Sequence, residues 1–488
     1  MSVLKKLVGQ TAIYGLSSIV GRLLNFLLVP LYTSIFALSE YGVFSVLMTL
    51  VAFAMVVLTY GLETSFFHFA NNESNAKNVF STAFLSLLGT TLLFLCIVLP
   101  QINQISGFLH TVDKPELILY LVWVLAFDVL STLPFAKLRL DNRAWRFASI
   151  RLVNIVANIG LNLFFFLLCP YFIKHGYAGD FINSIYDPNA GIAYIFIAYL
   201  VSSFLTLLLL LPEIFSIRLS FDFTLWKRMI SYSFPLLVGG LAYVTNEMVD
   251  RILLEYLLPK DIASAQIGIY SACYKIAIFM SLFIQAFRYA AEPFFFAQAK
   301  LEGAKEQYAH VMRYSVAFTG LIFLGVNVYI DILKGFIRNE AFHEGLAIVP
   351  ILLLANLFLG IYFNLSVWYK VSDNTRFGAY IALFGALVTI TLNLLLIPTM
   401  SYMGSAWATL FCYGSMCIVS YALSRKYYPI PYDFKRIFSY LFLALLLFYI
   451  WTIWHDDYFV FSSILCFAYM FAVWGLENGK KEVISSNK

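Results

Sequence analysis

Charge is what this sequence has least of. Asp, Glu, Lys and Arg make up 12% of its 488 residues, about half the share of an ordinary globular chain, so it has too few solvating groups for a large soluble surface. No stretch rich in proline, serine or charge divides the chain, which argues against soluble domains joined by linkers. Catalytic signatures are missing as well. The chain has no Walker-type phosphate loop, no Gly-x-Ser-x-Gly elbow and no His-Glu-x-x-His zinc pair. Its six histidines are scattered. Its six cysteines lie in or beside apolar segments without metal-type spacing and read as small apolar fillers. No metal, no resident cofactor, no catalytic residue and no nucleic-acid partner are expected.

What the chain does have is apolar length. Hydrophobic residues reach 61%, with 48 Phe and 32 Tyr, as lipid-facing surfaces and interfacial belts require. A membrane-spanning helix needs about 20 apolar residues. Such segments fall at 10–35, 41–62, 78–100, 117–136, 148–172, 191–211, 229–257, 265–286, 308–332, 346–369, 377–397, 403–423, 437–455 and 459–476. Pro398 and Gly404 are close enough that 377–397 and 403–423 also read as one kinked element. The first segment is too long for a signal-peptide core and is followed by no small-residue cleavage site, so it reads as a span. The expected fold is an all-α polytopic membrane protein with about 14 transmembrane helices.

The string of helices runs twice. Tyr-Gly-Val-Phe-Ser at 41–45 is echoed by Ile-Gly-Ile-Tyr-Ser at 267–271, and Glu-Thr-Ser-Phe-Phe from Glu63 by Glu-Pro-Phe-Phe-Phe from Glu292. The two echoes are displaced by nearly the same offset, so the register is held through the repeat. A duplicated helix bundle is a transporter architecture, in which two halves rock about a central site. The expected organisation is an N-lobe at 1–212, a pseudo-symmetric C-lobe at 213–436, each of six helices, and an additional hairpin with a tail at 437–488. With the N-terminus inside, 24 of the 32 Lys and Arg fall at cytoplasmic ends and loops, five outside and three within helices. That asymmetry predicts an even number of spans and cytoplasmic termini.

A charge at the centre of a membrane helix costs about 2.5–3.5 kcal/mol on insertion scales and so faces a cavity or a partner. Ser18, Arg22 and Asn25 make one polar stripe on the first helix. On the seventh, Asn246 and Asp250 are four apart, as are Glu247, Arg251 and Glu255, which can neutralise one another at i,i+4. Lys275 sits near the middle of the eighth helix and Asp128 interrupts the fourth. The spacing makes Ser18, Arg22, Asn25, Asn246, Arg251 and Lys275 candidates for a central binding cavity. Asp250, Asp128 and Glu247 are candidates for coupling to a proton or sodium ion, since an acid costly to ionise can carry a proton. Glu63, Arg288 and Glu292, at cytoplasmic ends of helices, are gate candidates.

These residues resemble a known family, the bacterial polysaccharide-biosynthesis membrane proteins of the oligosaccharide flippase type, in the superfamily that also holds multidrug and toxin extrusion antiporters. The resemblance is carried by Gly15 through Arg22, Leu-Val-Pro-Leu-Tyr at 28–32, Glu-Tyr-Gly at 40–42 and Gly-Leu-Glu-Thr-Ser-Phe-Phe at 61–67. Asn-Glu-Met-Val-Asp-Arg at 246–251, Arg288 with Ala-Glu-Pro at 291–293, Asn-Leu-Ser-Val-Trp-Tyr-Lys at 364–370, and Asn393 with Pro398 and Gly404 complete it. It implies two six-helix lobes around a cavity open alternately to each side of a bacterial inner membrane. It implies as cargo a lipid-linked oligosaccharide on an undecaprenyl pyrophosphate anchor, flipped to the outer leaflet for surface polysaccharide or lipopolysaccharide. Membrane lipid, a polysaccharide polymerase and chain-length machinery are the implied partners. Fixed cations suit a pyrophosphate, and Arg22, Arg251 and Lys275 are the cations deep in helices. A cation-coupled multidrug antiporter shares the fold and would show as drug tolerance without glycan loss. A membrane polysaccharide polymerase is a third reading, disfavoured by the short outer loop near 173–190, and a structural scaffold a fourth, disfavoured by the buried charges.

Overall fold

The computed structural model describes residues 23–24, 26–72, 76–109, 114–177, 180–216, 220–299, 301–372, 374–454 and 459–485. Every regular element among them is helical. Hydrocarbon offers backbone groups no partners, so a spanning segment must close its hydrogen bonds within itself. The long helices are α1 Leu38–Thr59, α2 Ala76–Val98, α3 Glu116–Leu140, α4 Ala144–Leu163, α5 Ala193–Phe215, α6 Phe223–Leu257, α7 Lys260–Gln298, α8 Ala304–Val328, α9 Val349–Leu365, α10 Arg376–Met400, α11 Tyr402–Tyr427, α12 Phe434–Trp454 and α13 Phe459–Ser485.

Among the described residues, twelve helices are long and apolar enough to cross a membrane. The exception is α6, whose 35 residues carry the polar set from Asn246 to Glu255. The first expected span lies mostly outside the described residues, though Val29–Ile35 is helical. The reading of 377–423 as one kinked element is corrected. α10 and α11 are separate antiparallel helices joined at Ser401, which turns the chain with φ +51°. Asn393 and Ser405 bond across this hairpin at 2.8 Å.

The chain divides into two compact units. The first takes in Val43–Val244; the second takes in Val29–Gly42 and the chain from Thr245 onward. In the first, Leu62, Ala83, Leu87, Val129, Leu133, Ala136 and Met229 make a core with no exposed surface. In the second, Trp368 is fully buried, its ring parallel to Tyr427 and its Nε1–H donating to Ser420 Oγ at 3.3 Å. The additional hairpin α12–α13 belongs to the second unit and packs on α8. Tyr469 donates to the Ala317 carbonyl at 3.0 Å and Ser462 to that of Val328 at 2.9 Å. The outer faces of α12 and α13 expose Phe442, Tyr449, Phe471 and Trp474 by more than 60%, a surface that water would not tolerate and lipid does.

Two places need glycine. Gly61, at φ +71°, breaks the apolar run after α1, and a Cβ there would lie 2.9 Å from the Leu236 Cβ. Where α1 and α7 begin, the contact is reciprocal. A Cβ on Gly42 would lie 1.8 Å from the Ser264 carbonyl oxygen, and one on Gly268 1.9 Å from that of Leu38. Ser264 stands to Leu38 in the repeat as Gly268 stands to Gly42, at an identical offset. The echo read in the sequence is therefore a close backbone contact made with the same geometry from both sides.

Candidate functional site

The polar end of α6 is built into the second unit. Asn246 is held by its neighbours: its Nδ2 donates to the Ala382 carbonyl at 3.1 Å, and its Oδ1 accepts from Thr389 at 3.4 Å and from the Cys412 thiol at 3.7 Å. With 6% exposure, it ties α6 to α10 and α11. One helical turn on, Asp250 and Arg251 pair with each other, Nη1 to Oδ1 at 3.0 Å, and the Arg251 main-chain N–H donates to the same oxygen at 2.8 Å. Tyr270 donates a short hydrogen bond to the other carboxylate oxygen. The guanidinium also lies 5.4 Å from the Tyr270 ring centre and 4.8 Å from that of Tyr274, within cation–π range. The i,i+4 pattern passes over this partner. Glu247 instead accepts from Tyr413 at 3.1 Å, and Glu255 is buried near the end of α6.

Lys275 differs from Arg251. It is half-buried in the middle of α7 and makes no hydrogen bond or ion pair among the described residues. The charge of Arg251 acts on it unfavourably. Arg251 is directly paired with Asp250 and also lies in the field of Glu247, whereas Lys275 has no such carboxylate beside it among the described residues. An ammonium held in an apolar span without a counter-charge is costly, and an anion brought beside it would relieve that cost.

Among the described residues of the first unit, the helices hold Asp128 and Arg151. Asp128, on α3, lies near Ser203 of α5 and in the field of Arg151 on α4. Arg151 itself rests on Phe135 at 4.3 Å and Phe147 at 5.7 Å. The gate candidates are all ion-paired within their own units. Glu63 pairs with Arg139, whose guanidinium covers Phe67 at 5.1 Å. Glu292 accepts from Lys370 at 2.6 Å and lies 3.9 Å from Arg288, which covers Phe363 at 5.1 Å. Ser18, Arg22 and Asn25 lie outside the described residues.

The sequence reading missed Tyr270, Tyr413, Arg139 and Lys370. Lys370 did stand in a quoted motif, and it follows Arg139 at nearly the repeat offset, a signal that could have found the pair. Among the described residues no group of three or more His, Cys, Asp or Glu is arranged to hold a metal.

Residues 7–299 match a family model described as polysaccharide biosynthesis protein. No curated protein matches the sequence significantly. Among solved structures, the fold is similar to lipid II flippase MurJ in an inward closed conformation, with a TM-score of 0.74 and 14% identity over 98% of this chain and 100% of that one. It is also similar to a multidrug resistance MATE family transporter of the MOP superfamily. The inward-facing conformation gives a TM-score of 0.60 at 15% identity over 90% of this chain and 96% of that one. The outward-facing conformation gives 0.61 at 14% over 89% and 96%.

Proposed function

This chain belongs to the polysaccharide biosynthesis protein family, and from that premise we propose that it is a membrane transporter which moves a lipid-linked oligosaccharide from the cytoplasmic to the outer leaflet. The cargo is a glycan on an undecaprenyl pyrophosphate anchor. The setting is the bacterial inner membrane, with both termini cytoplasmic, and a polysaccharide polymerase and chain-length machinery take the product. The two lobes, 1–212 and 213–436, open alternately to each side, and no covalent chemistry is performed. The observation that supports this reading most directly is Lys275, an intramembrane cation with no ion-pair partner among the described residues, whose charge an anionic pyrophosphate would offset. Arg22 adds a second cation, while Ser18 and Asn25 supply sugar hydroxyls with partners. Arg251, fixed by Asp250 and two tyrosine rings, sets the field rather than releasing its own partner to the cargo. Asn246 fastens α6 to α10 and α11.

Coupling to a proton or sodium ion falls to Asp128 before Asp250, because Asp250 is already held by Arg251 and Tyr270. The same acid supports a second reading, a cation-coupled multidrug antiporter, which the fold shared with MATE transporters accommodates. One experiment separates them. Cells lacking the protein should accumulate complete lipid-linked glycans on the cytoplasmic side. Wild type should restore surface polysaccharide, and Lys275→Gln, present at wild-type levels in the membrane, should restore it at least about tenfold less well, the loss of one charge-assisted contact. Normal glycans with altered drug tolerance would replace the flippase by the antiporter.

A further inference from the structure

Three helix ends of the first unit meet at one carboxylate that the transport reading does not use. α3 closes at Leu140, α4 opens at Ala144 and α5 ends at Phe215. Glu213, 3% exposed, sits among them. Arg143 Nη1 lies 3.2 Å from its Oε1, Arg146 Nε lies 2.7 Å from the same atom, and Arg146 Nη2 donates to Oε2 at 3.0 Å. Lys137 Nζ donates to the Glu213 carbonyl at 3.3 Å and to Ser216 Oγ at 2.6 Å. The buried carboxylate thus orders two guanidinium groups, and the Glu213 main-chain carbonyl orders a third cation, Lys137; with Asp141 also acting on Lys137, one positive charge remains in excess.

The cationic heads stay open. The side chain of Arg143 is 51% exposed and that of Arg146 36%. Trp145, between them in the chain, is 77% exposed, as is Phe215. Arg143 is also the N-cap residue of α4 and makes no capping bond, so the positive end of that helix adds to the same field. Ends of spanning helices lie at headgroup depth, where exposed Trp beside Lys and Arg marks the water–lipid interface. An unordered basic collar would also be positive, but its side chains would lose rotamer freedom on binding a ligand. Here Glu213 already holds them, which lowers that cost.

We propose that Lys137, Arg143, Arg146 and Trp145 form a binding site for the headgroup phosphate of an anionic phospholipid of the bilayer. The guanidinium groups bind the phosphate through paired N–H donors, Lys137 adds charge, and the Trp145 ring lies along the glycerol and upper acyl region. The Lys and Arg excess of the sequence assigns this surface to the cytoplasmic leaflet.

The full-length protein, extracted in detergent, is titrated with dioleoylphosphatidylglycerol or dioleoylphosphatidylcholine, and bound lipids are counted by native mass spectrometry. Wild type should retain the anionic lipid preferentially. Each headgroup contact with a basic side chain is worth about a fivefold change in affinity. Arg143→Gln with Trp145→Ala, both at exposed positions, should therefore lower phosphatidylglycerol retention at least about fivefold and leave phosphatidylcholine unchanged. Arg143→Lys alone should keep most of the retention. Equal binding of the two lipids by wild type, or full retention by the double variant, would overturn the site. Displacement of phosphatidylglycerol by equimolar undecaprenyl pyrophosphate would also overturn it, by assigning the surface to the cargo. A double variant whose thermal unfolding in phosphatidylcholine differs from wild type is replaced by Arg143→Gln alone, which must still lower retention.

Discussion

In one unit Glu63 is held by Arg139; in the other Glu292 is held by Lys370, and both partners sit at nearly the same repeat offset from their counterparts. Each unit thus holds a glutamate at a helix end with a basic partner, through different basic residues. Arg139 makes both the ion pair and the contact with Phe67, because a guanidinium is planar and can do both. In the second unit the ammonium of Lys370 makes the shorter ion pair with Glu292 at 2.6 Å, and Arg288 covers Phe363 while lying 3.9 Å from the same carboxylate. Away from the helix ends the units part company. Among the described residues the first holds an acid, Asp128, in the field of Arg151, and the second holds Arg251 locked to Asp250. The two units therefore share ion-paired helix ends and differ in the charges within their helices.

The largest expected effect breaks the second unit. Arg251→Met leaves Asp250 buried without its cation and should destabilise the protein by about 3–5 kcal/mol, read as a lowered unfolding midpoint in detergent. Asp128→Asn in the first unit removes a charge that has no direct ion pair among the described residues and should change stability by less than about 1 kcal/mol. Equal losses would mean that the two units treat their intramembrane charges alike.

A smaller effect sharpens the symmetry. Gly42→Ala and Gly268→Ala each push a methyl into the backbone of the facing helix, and overpacking of that kind costs about 1–3 kcal/mol. Because the contact is reciprocal, the two substitutions should cost the same within error. A harmless substitution at either position would remove the reciprocity.

The smallest effect concerns the paired ends. These ion pairs are about one-third exposed, so double-mutant cycles on Glu63 with Arg139 and on Glu292 with Lys370 should each give a coupling of about 0.2–1 kcal/mol. A coupling in one unit and none in the other would show that the repeat keeps the positions without keeping the energy.

Much of the fold was legible because hydrophobic length is a local property. The spans at 78–100, 117–136 and 377–397 reappear as α2, α3 and α10 with modest shifts at their ends. The seventh span was legible as a helix, α6, though it is not among those apolar enough to be counted as a span. The site was legible as a set of residues but not as a set of bonds. Asp250 and Arg251 were placed on two neighbouring stripes of α6, yet adjacent side chains on a helix can still meet when burial leaves them no better partner. Tyr270 and Tyr413 looked like any of 32 tyrosines until α7 and α11 carried them to Asp250 and Glu247.

The sequence by itself determined that the chain is helical and crosses a membrane many times, and it carries two short echoes at a nearly constant offset. Apolar runs of spanning length admit no other backbone in lipid, and a repeat is written in the order of residues. Only the tertiary structure decided that Arg251 answers to Asp250, that Arg139 and Lys370 hold the two repeated glutamates, and that Glu213 gathers three cations. Such pairings depend on how each helix is rotated and where it crosses its neighbour. Many side chains together set that geometry, and no single segment encodes it.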